Sequence, residues 1–325
     1  MRENRKLLYW ALLYGGMLAA FTLYVLMDAF VIVRSYATVE AEPFAPRVAE
    51  APLSAQPAET PAQDAAAIST ETPLLTASSA PGPVITDTSY EDGSVTVRLS
   101  ELRACDSTVH VAEVILSDAW HLKTALAQNT YGRNVTERTS DMAAAQGAVL
   151  AINGDYYGAQ RSGYVVRNGV LYRDTSAGAS QEDLCVWPDG SLSVIREGDV
   201  DAQALVDQGV LQVFSFGPAL VEEGRISVTR EEEVGNAMTN NPRTAIAMIE
   251  PLHYLFVVAD GRTRESSGLS LYQLADVLLG LGARVAYNLD GGGSSTMVFM
   301  GEVVNFPTTR GSYSERAVSD IVYVN

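Results

Sequence analysis

The stretch LSLYQLADVLLGLGARVAYNLDGGGSSTMVF, residues 269–299, changes its period halfway along. Leu271, Leu274, Ala275, Leu278 and Leu279 recur at i, i+3, i+4, i+7 and i+8, which predicts a helix with one core face, ended by Gly282. ARVAYNLD then predicts a buried strand that breaks into three glycines, with a carboxylate before them and hydroxyls behind. Consecutive glycines cost backbone entropy on folding, so a buried strand holds them only where something approaches the main chain closely. A bound anion is the first candidate. The N–H groups of a glycine turn can form an anion-holding nest, and Ser294, Ser295 and Thr296 add hydroxyl donors.

Upstream the chain reads as an α+β domain, a mixed β-sheet with flanking helices and hairpins. TSDMAAAQGAVLAINGDYY predicts a short capped helix, a glycine stop and a buried strand. Asn168-Gly169 and Asp189-Gly190 each stand between two strand-like runs, as in type I′ hairpins, and RTAIAMIEPLHYLFVVADGR predicts another strand pair. Three apolar strands finish alike, in AINGDYY, VVADGR and YNLDGGGSS. Side chains two apart share a face of an extended strand, so Asn153 with Asp155, Asp260 with Arg262, and Asn288 with Asp290 would converge on a pocket at the strand ends. Ordinary tight turns use the same residues, but three sites of one form beside a triple glycine favour the pocket. Arg243 adds a guanidinium at the start of a buried strand, with a salt bridge at the core edge as its alternative.

Leu7 to Met27 carries no charge over 21 residues, enough to cross a hydrocarbon core of roughly 30 Å. Arg2, Arg5 and Lys6 precede it, which predicts a single-pass anchor with its N-terminus inside, in preference to a cleaved signal peptide. Residues 1–35 are therefore read as cytoplasmic tip and anchor. Residues 36–90, Pro- and Ala-rich with seven acids against one base, are read as a disordered tether that lifts the domain off the membrane, and 91–325 as the catalytic domain. The net charge of −17 argues against nucleic acid as a partner. Cys105 and Cys185 form either one disulfide of an exported chain or two free thiols.

Several chemistries are excluded. No Gly-Lys-Ser/Thr follows the glycines, there is no spaced dinucleotide fingerprint, and no G-x-S-x-G elbow occurs. His110, His121 and His253 lack site-like neighbours. What remains is a set of carboxylates, arginines and a phosphate site, able to break a bond between a sugar and a phosphate with no cofactor. Two rivals stay open. One is a non-catalytic glycan-phosphate binding module; the other is a phosphodiesterase that cuts P–O with a divalent cation on Asp155, Asp260 and Asp290.

AINGDYY, NPRTAIA, ADGR, GLSLYQLADVLLGLGARVAYNLDGGGSSTM and ERAVSDIVYV occur in the order found in phosphodiester glycosidases, the family of the lysosomal uncovering enzyme. The resemblance runs from about Val95 to Asn325, with NLDGGGSS its most specific block. It implies removal of a sugar, N-acetylglucosamine in the family's known activity, to leave a phosphomonoester. It also implies a pocket lined by Asn153, Asp155, Arg243, Asp260, Arg262, Asn288, Asp290, Gly291, Gly292, Gly293, Ser294, Ser295 and Thr296, with Arg316 from the last motif. Asp290, Asp260 and Asp155 are the expected catalytic carboxylates. The animal proteins resemble NGGFF where this chain has NGDYY, so Asp155 is an added acid or metal contact. An anchored domain fits a glycosyl phosphate of the cell envelope or an exopolysaccharide as substrate.

Overall fold

The computed structural model describes residues 2–38, 82–230 and 240–325. Its largest sheet has nine strands. In spatial order the central ones are Val285–Leu289, Arg243–Glu250, His253–Ala259, Ser107–Leu116 and Val95–Ala104. These neighbours pair antiparallel. Two five-stranded sheets pack beneath. One runs Glu302–Val303, Met297–Phe299, Leu150–Asn153, Asp320–Val324, Leu122–Leu126; the other runs Val170–Arg173, Val165–Arg167, Gln212–Phe214, Glu182–Val186, Leu192–Arg196.

The central core joins all three sheets: Ile246, Phe256 and Tyr287 meet Leu150, Ile152 and Val322 of the second sheet and Leu184 and Phe214 of the third. Four α-helices lie among the described residues: α1 (Arg2–Phe30), α2 (Thr139–Gln146), α3 (Ala202–Asp207) and α4 (Leu271–Gly280). α4 covers the opposite face of the large sheet, where Leu271, Leu274, Ala275 and Leu278 pack on Ala245, Ala247, Val257 and Ala286. The strand Arg243–Glu250 is thus buried on both faces, which is why RTAIAMI shows no polar alternation. A capping box starts α4, with Ser270 Oγ accepting from Gln273 N and Gln273 Oε1 from Ser270 N.

The hairpins divide. Asn168 and Gly169 both have positive φ, 51° and 76°, as a type I′ turn requires. At Asp189-Gly190 only Gly190 does, at 81°, and its N–H donates to Trp187 O at 2.9 Å. That is a three-residue loop with a glycine bulge, not the expected I′ turn. The longest hairpin turns on Cys105 and Asp106, at φ 47° and 58°, with no glycine to announce it.

Residues 290–296 carry the chain from the strand Val285–Leu289 of the large sheet to Met297–Phe299 of the second. The triple glycine therefore sits on a crossing between sheets.

α1 contains Tyr9–Asp28, 20 residues long and apolar enough to cross a membrane. Both ends of the segment 36–90, read as a tether, contain strands. Arg34–Thr38 pairs with Thr130–Arg133, and Val84–Ile85 and Ser89–Glu91 pair at the edge of the large sheet. The rest of that segment, 39–81, lies outside the described residues.

The disulfide alternative fails: Cys105 is free and exposed on its turn, and Cys185 is free and buried in the strand Glu182–Val186 of a different sheet. Burial also pushes the Cys185 thiol above its ordinary range. Unreduced protein should therefore titrate one thiol when native and two after denaturation. Finding none after denaturation would establish the bridge instead.

Candidate active site

Asn153 ends its strand with a fully buried amide. Its Nδ2 donates to Asp290 O at 2.6 Å, and its Oδ1 accepts from Thr244 Oγ1 at 2.8 Å and Thr296 N at 3.3 Å. One side chain thereby fixes both ends of the crossing segment and the strand beside it. Asp290, first residue of the crossing, turns its carboxylate toward Ser294 Oγ (2.5 Å) and Arg316 Nη2 (2.9 Å). Arg316 also donates from Nε to Ser294 Oγ at 2.8 Å and from Nη2 to Gly291 O at 3.1 Å, closing the loop on itself. Burial pushes the Asp290 carboxyl above its ordinary range, against the lowering effect of the Arg316 charge.

The glycines are required by neighbours. A Cβ on Gly291 would stand 2.9 Å from Pro242 O, one on Gly292 3.0 Å from Arg262 Nη2, and one on Gly293 2.7 Å from Thr309 Oγ1. Gly292 also has φ +65°. Part of the main-chain nest expected here is taken up by the protein itself. Gly292 N–H donates to Pro242 O at 2.8 Å, Ser294 N–H to Gly291 O, Ser295 N–H to Gly292 O, and Thr296 N–H to Asn153. Those four donors hold the loop.

Guanidinium groups stand in their place. Arg243, Arg262 and Arg316 line a cavity of about 180 Å³ together with Phe216, Asn241, Asn288, Leu289, Asp290, Gly291 and Gly292. Arg262 is held by Asn241 Oδ1, at 3.1 Å from Nε and 2.9 Å from Nη2. Arg243 Nε donates to Leu269 O at 2.9 Å. Asn288 gives its Nδ2 to Gly217 O at 2.8 Å, which leaves Oδ1 without a hydrogen-bond partner. Arg262 and Arg316 also border an outer cavity of about 640 Å³ with Gly293, Thr309, Arg310, Ser312 and Ser314.

The other expected residues stand elsewhere. Asp155 is 1% exposed and ion-paired to Arg167 at 2.8 Å, and the same guanidinium bonds Asp320 at 2.8 Å. Burial raises the Asp320 carboxyl, opposed by Arg167. This triad lies behind Gly154, whose carbonyl accepts from Asp290 N. The acid that distinguishes NGDYY is thus a packing partner, out of the cavity. Asp260 faces away too: Oδ2 meets His110 Nε2 at 3.0 Å, and Oδ1 accepts from Asn305 Nδ2 and Phe306 N. Arg262 has φ +62°, so the extended backbone that would have aligned it with Asp260 ends between them. Asp155 and Asp260 therefore share no space for a cation. Among the described residues no group of three or more His, Cys, Asp or Glu is placed to hold a metal ion. Asn153, Ser295 and Thr296 are wholly buried and serve the frame. Asn241 and Phe216 line the cavity unannounced, each within two residues of a proline.

A cavity at sheet ends with one carboxylate and three guanidiniums is suited to an anionic ligand. Residues 146–325 match the phosphodiester glycosidase family profile, and the chain belongs to that family. It is 30% identical over 199 residues to the SPbeta prophage-derived uncharacterized protein YomE of Bacillus subtilis (strain 168), covering 60% of this chain and 30% of that one. It is 28% identical over 180 residues to N-acetylglucosamine-1-phosphodiester alpha-N-acetylglucosaminidase of Bos taurus, covering 50% and 33% respectively. The chain thus spans about a third of the length of these curated relatives. Its fold is like that of the zebrafish N-acetylglucosamine-1-phosphodiester alpha-N-acetylglucosaminidase catalytic domain auto-inhibited by pro-peptide, with TM-score 0.56 and 22% identity over 71% of this chain and 82% of that one.

Gly292→Ala separates backbone strain from the site. Gly224 has a similar φ of +72° with open space around it, so Gly224→Ala carries the strain alone. Both variants should lose roughly 1 kcal/mol or more in denaturant unfolding. Only Gly292→Ala should also lose turnover in protein shown to be folded, because its methyl displaces Arg262. Equal turnover in the two folded variants would remove Arg262 from the chemistry.

Proposed function

We propose that this domain hydrolyses a glycosyl-1-phosphodiester, releasing an N-acetylglucosamine-like sugar and leaving a phosphomonoester on the remainder. The observation that carries the reading is that Asp290 shares its cavity with Arg243, Arg262 and Arg316. A phosphomonoester leaving group needs its charge neutralised more than it needs a proton, and guanidiniums do this in bidentate geometry. Asp290 then acts at the anomeric carbon, as a base toward water or as the nucleophile. Its raised pKa makes the ionised carboxylate a better proton acceptor. The C1–O bond breaks with its electron pair on the phosphate oxygen, and water supplies the new C1–O bond. Phe216 offers an apolar face to the ring.

We further assign α1 as a membrane anchor with the basic N-terminus inside and the domain outside, which makes an envelope or exopolysaccharide glycan the accessible substrate.

Product analysis in ¹⁸O water tests the reaction. Free sugar should carry the label, and Asp290→Asn should lower kcat by about 10³-fold or more while binding persists. Arg243→Ala should lower kcat/KM by on the order of 10²-fold. Sugar phosphate as product would assign P–O cleavage, and affinity without turnover would assign a binding module.

The acidic limb of the kcat/KM profile should lie above the ordinary carboxylate range, since Asp290 must be ionised and burial raises its pKa. Arg316→Ala removes the charge that holds this pKa down, so the limb should move further toward neutral pH. A downward shift would show that another group governs the limb.

A further inference from the structure

α1 runs directly into the folded domain. After it, Arg34–Thr38 pairs antiparallel with Thr130–Arg133, and Asn134 Nδ2 donates to Ile32 O at 2.9 Å. Gly132 makes the approach possible, for Arg34 O lies 2.2 Å from where a Cβ would stand. Asp28, the last residue of the apolar stretch, is buried and accepts from Arg34, from Arg133 at 3.1 Å and from Arg161 at 2.9 Å.

The charges there do not balance. Three guanidiniums face one carboxylate, and Arg173 brings a fourth, held by the carbonyls of Gly163, Tyr157 and Gln160. All four line a cavity of about 330 Å³, with Tyr131 and Tyr157 stacked 5.4 Å apart along its wall. Arg133 is 8% exposed, yet its Nε is buried without a hydrogen-bond partner, as is Arg173 Nη2. Buried guanidinium donors left unpaired are costly, and an anion in the cavity removes that cost.

We propose that this cavity holds the phosphate of an anionic lipid headgroup. The proposal rests on the reading of α1 as a membrane anchor. A helix of 20 apolar residues ending at Asp28 spans the hydrocarbon and puts the residues that follow at headgroup level. Arginine forks match phosphate oxygens in pairs, and tyrosine side chains suit the membrane interface. The arginines would bind free phosphate by the same chemistry; their attachment to the end of α1 selects the lipid.

The test uses the full chain in neutral detergent with equal phosphatidylglycerol and phosphatidylcholine, and native mass spectrometry to count retained lipid. One phosphatidylglycerol should be retained in preference to phosphatidylcholine by about tenfold, and Arg161→Ala should weaken retention severalfold. The Arg161 side chain is 71% exposed, so its loss leaves the fold intact, which a thermal melt checks. Equal retention of the two lipids, or unchanged retention in Arg161→Ala, would overturn the site. Displacement by inorganic phosphate at equal concentration would overturn the lipid and leave a soluble anion as ligand. A chain that stays out of bilayer nanodiscs would overturn the anchor reading and the lipid assignment with it.

Discussion

The buried amide of Asn153 is the constraint on which the site depends. It ties a strand of the second sheet to Thr244 of the large sheet and to both ends of the segment that crosses between them. Such an amide is worth most when every bond it can make is made, because a buried unpaired donor or acceptor costs about 1–3 kcal/mol. With its ends held, the crossing segment has little freedom left. Its glycines admit Pro242, Arg262 and Thr309 to close approach, and the N–H groups of Gly292, Ser294 and Ser295 turn inward. The position of Asp290 is therefore set by the packing of two sheets, which a loop alone could not fix so closely.

Division of labour among the acids follows from the same frame. Asp155 and Asp320 flank Arg167 in the interior, and Asp260 is tied to His110 and Asn305, so each is committed to holding structure. Asp290 alone among these four lines the cavity, opposite positive charge. Separating structural from reactive carboxylates in this way keeps like charges from accumulating where a phosphate must enter.

Much of this was legible in the sequence, and the limits are physical. Period identified α4 and the buried strands around it, abrupt polarity where a strand finishes pointed to Asn288 and Asp290, and a guanidinium at the start of a buried strand pointed to Arg243. Alternation could not say where extended backbone stops, and the positive φ at Arg262 undid the pairing expected with Asp260. Composition does not tell a polar group facing a cavity from one facing a gap between sheets, which is why the sequence places Asn153 and Asp155 in the pocket. Three glycines signal close approach, but the identity of the approaching group is a tertiary fact; here it is protein. The Cys105–Asp106 turn left no mark, because neither residue is glycine.

The two cavities differ in size. At about 180 Å³ the inner one is smaller than the ~300–1,000 Å³ typical of pockets for drug-sized ligands and suits a single sugar ring. Arg262 and Arg316 separate it from the wider cavity outside. Because Arg262 and Arg316 border both cavities, a group held between these two guanidiniums has the small inner space on one side and the wider outer space on the other, so unequal partners on its two flanks would be told apart by size alone.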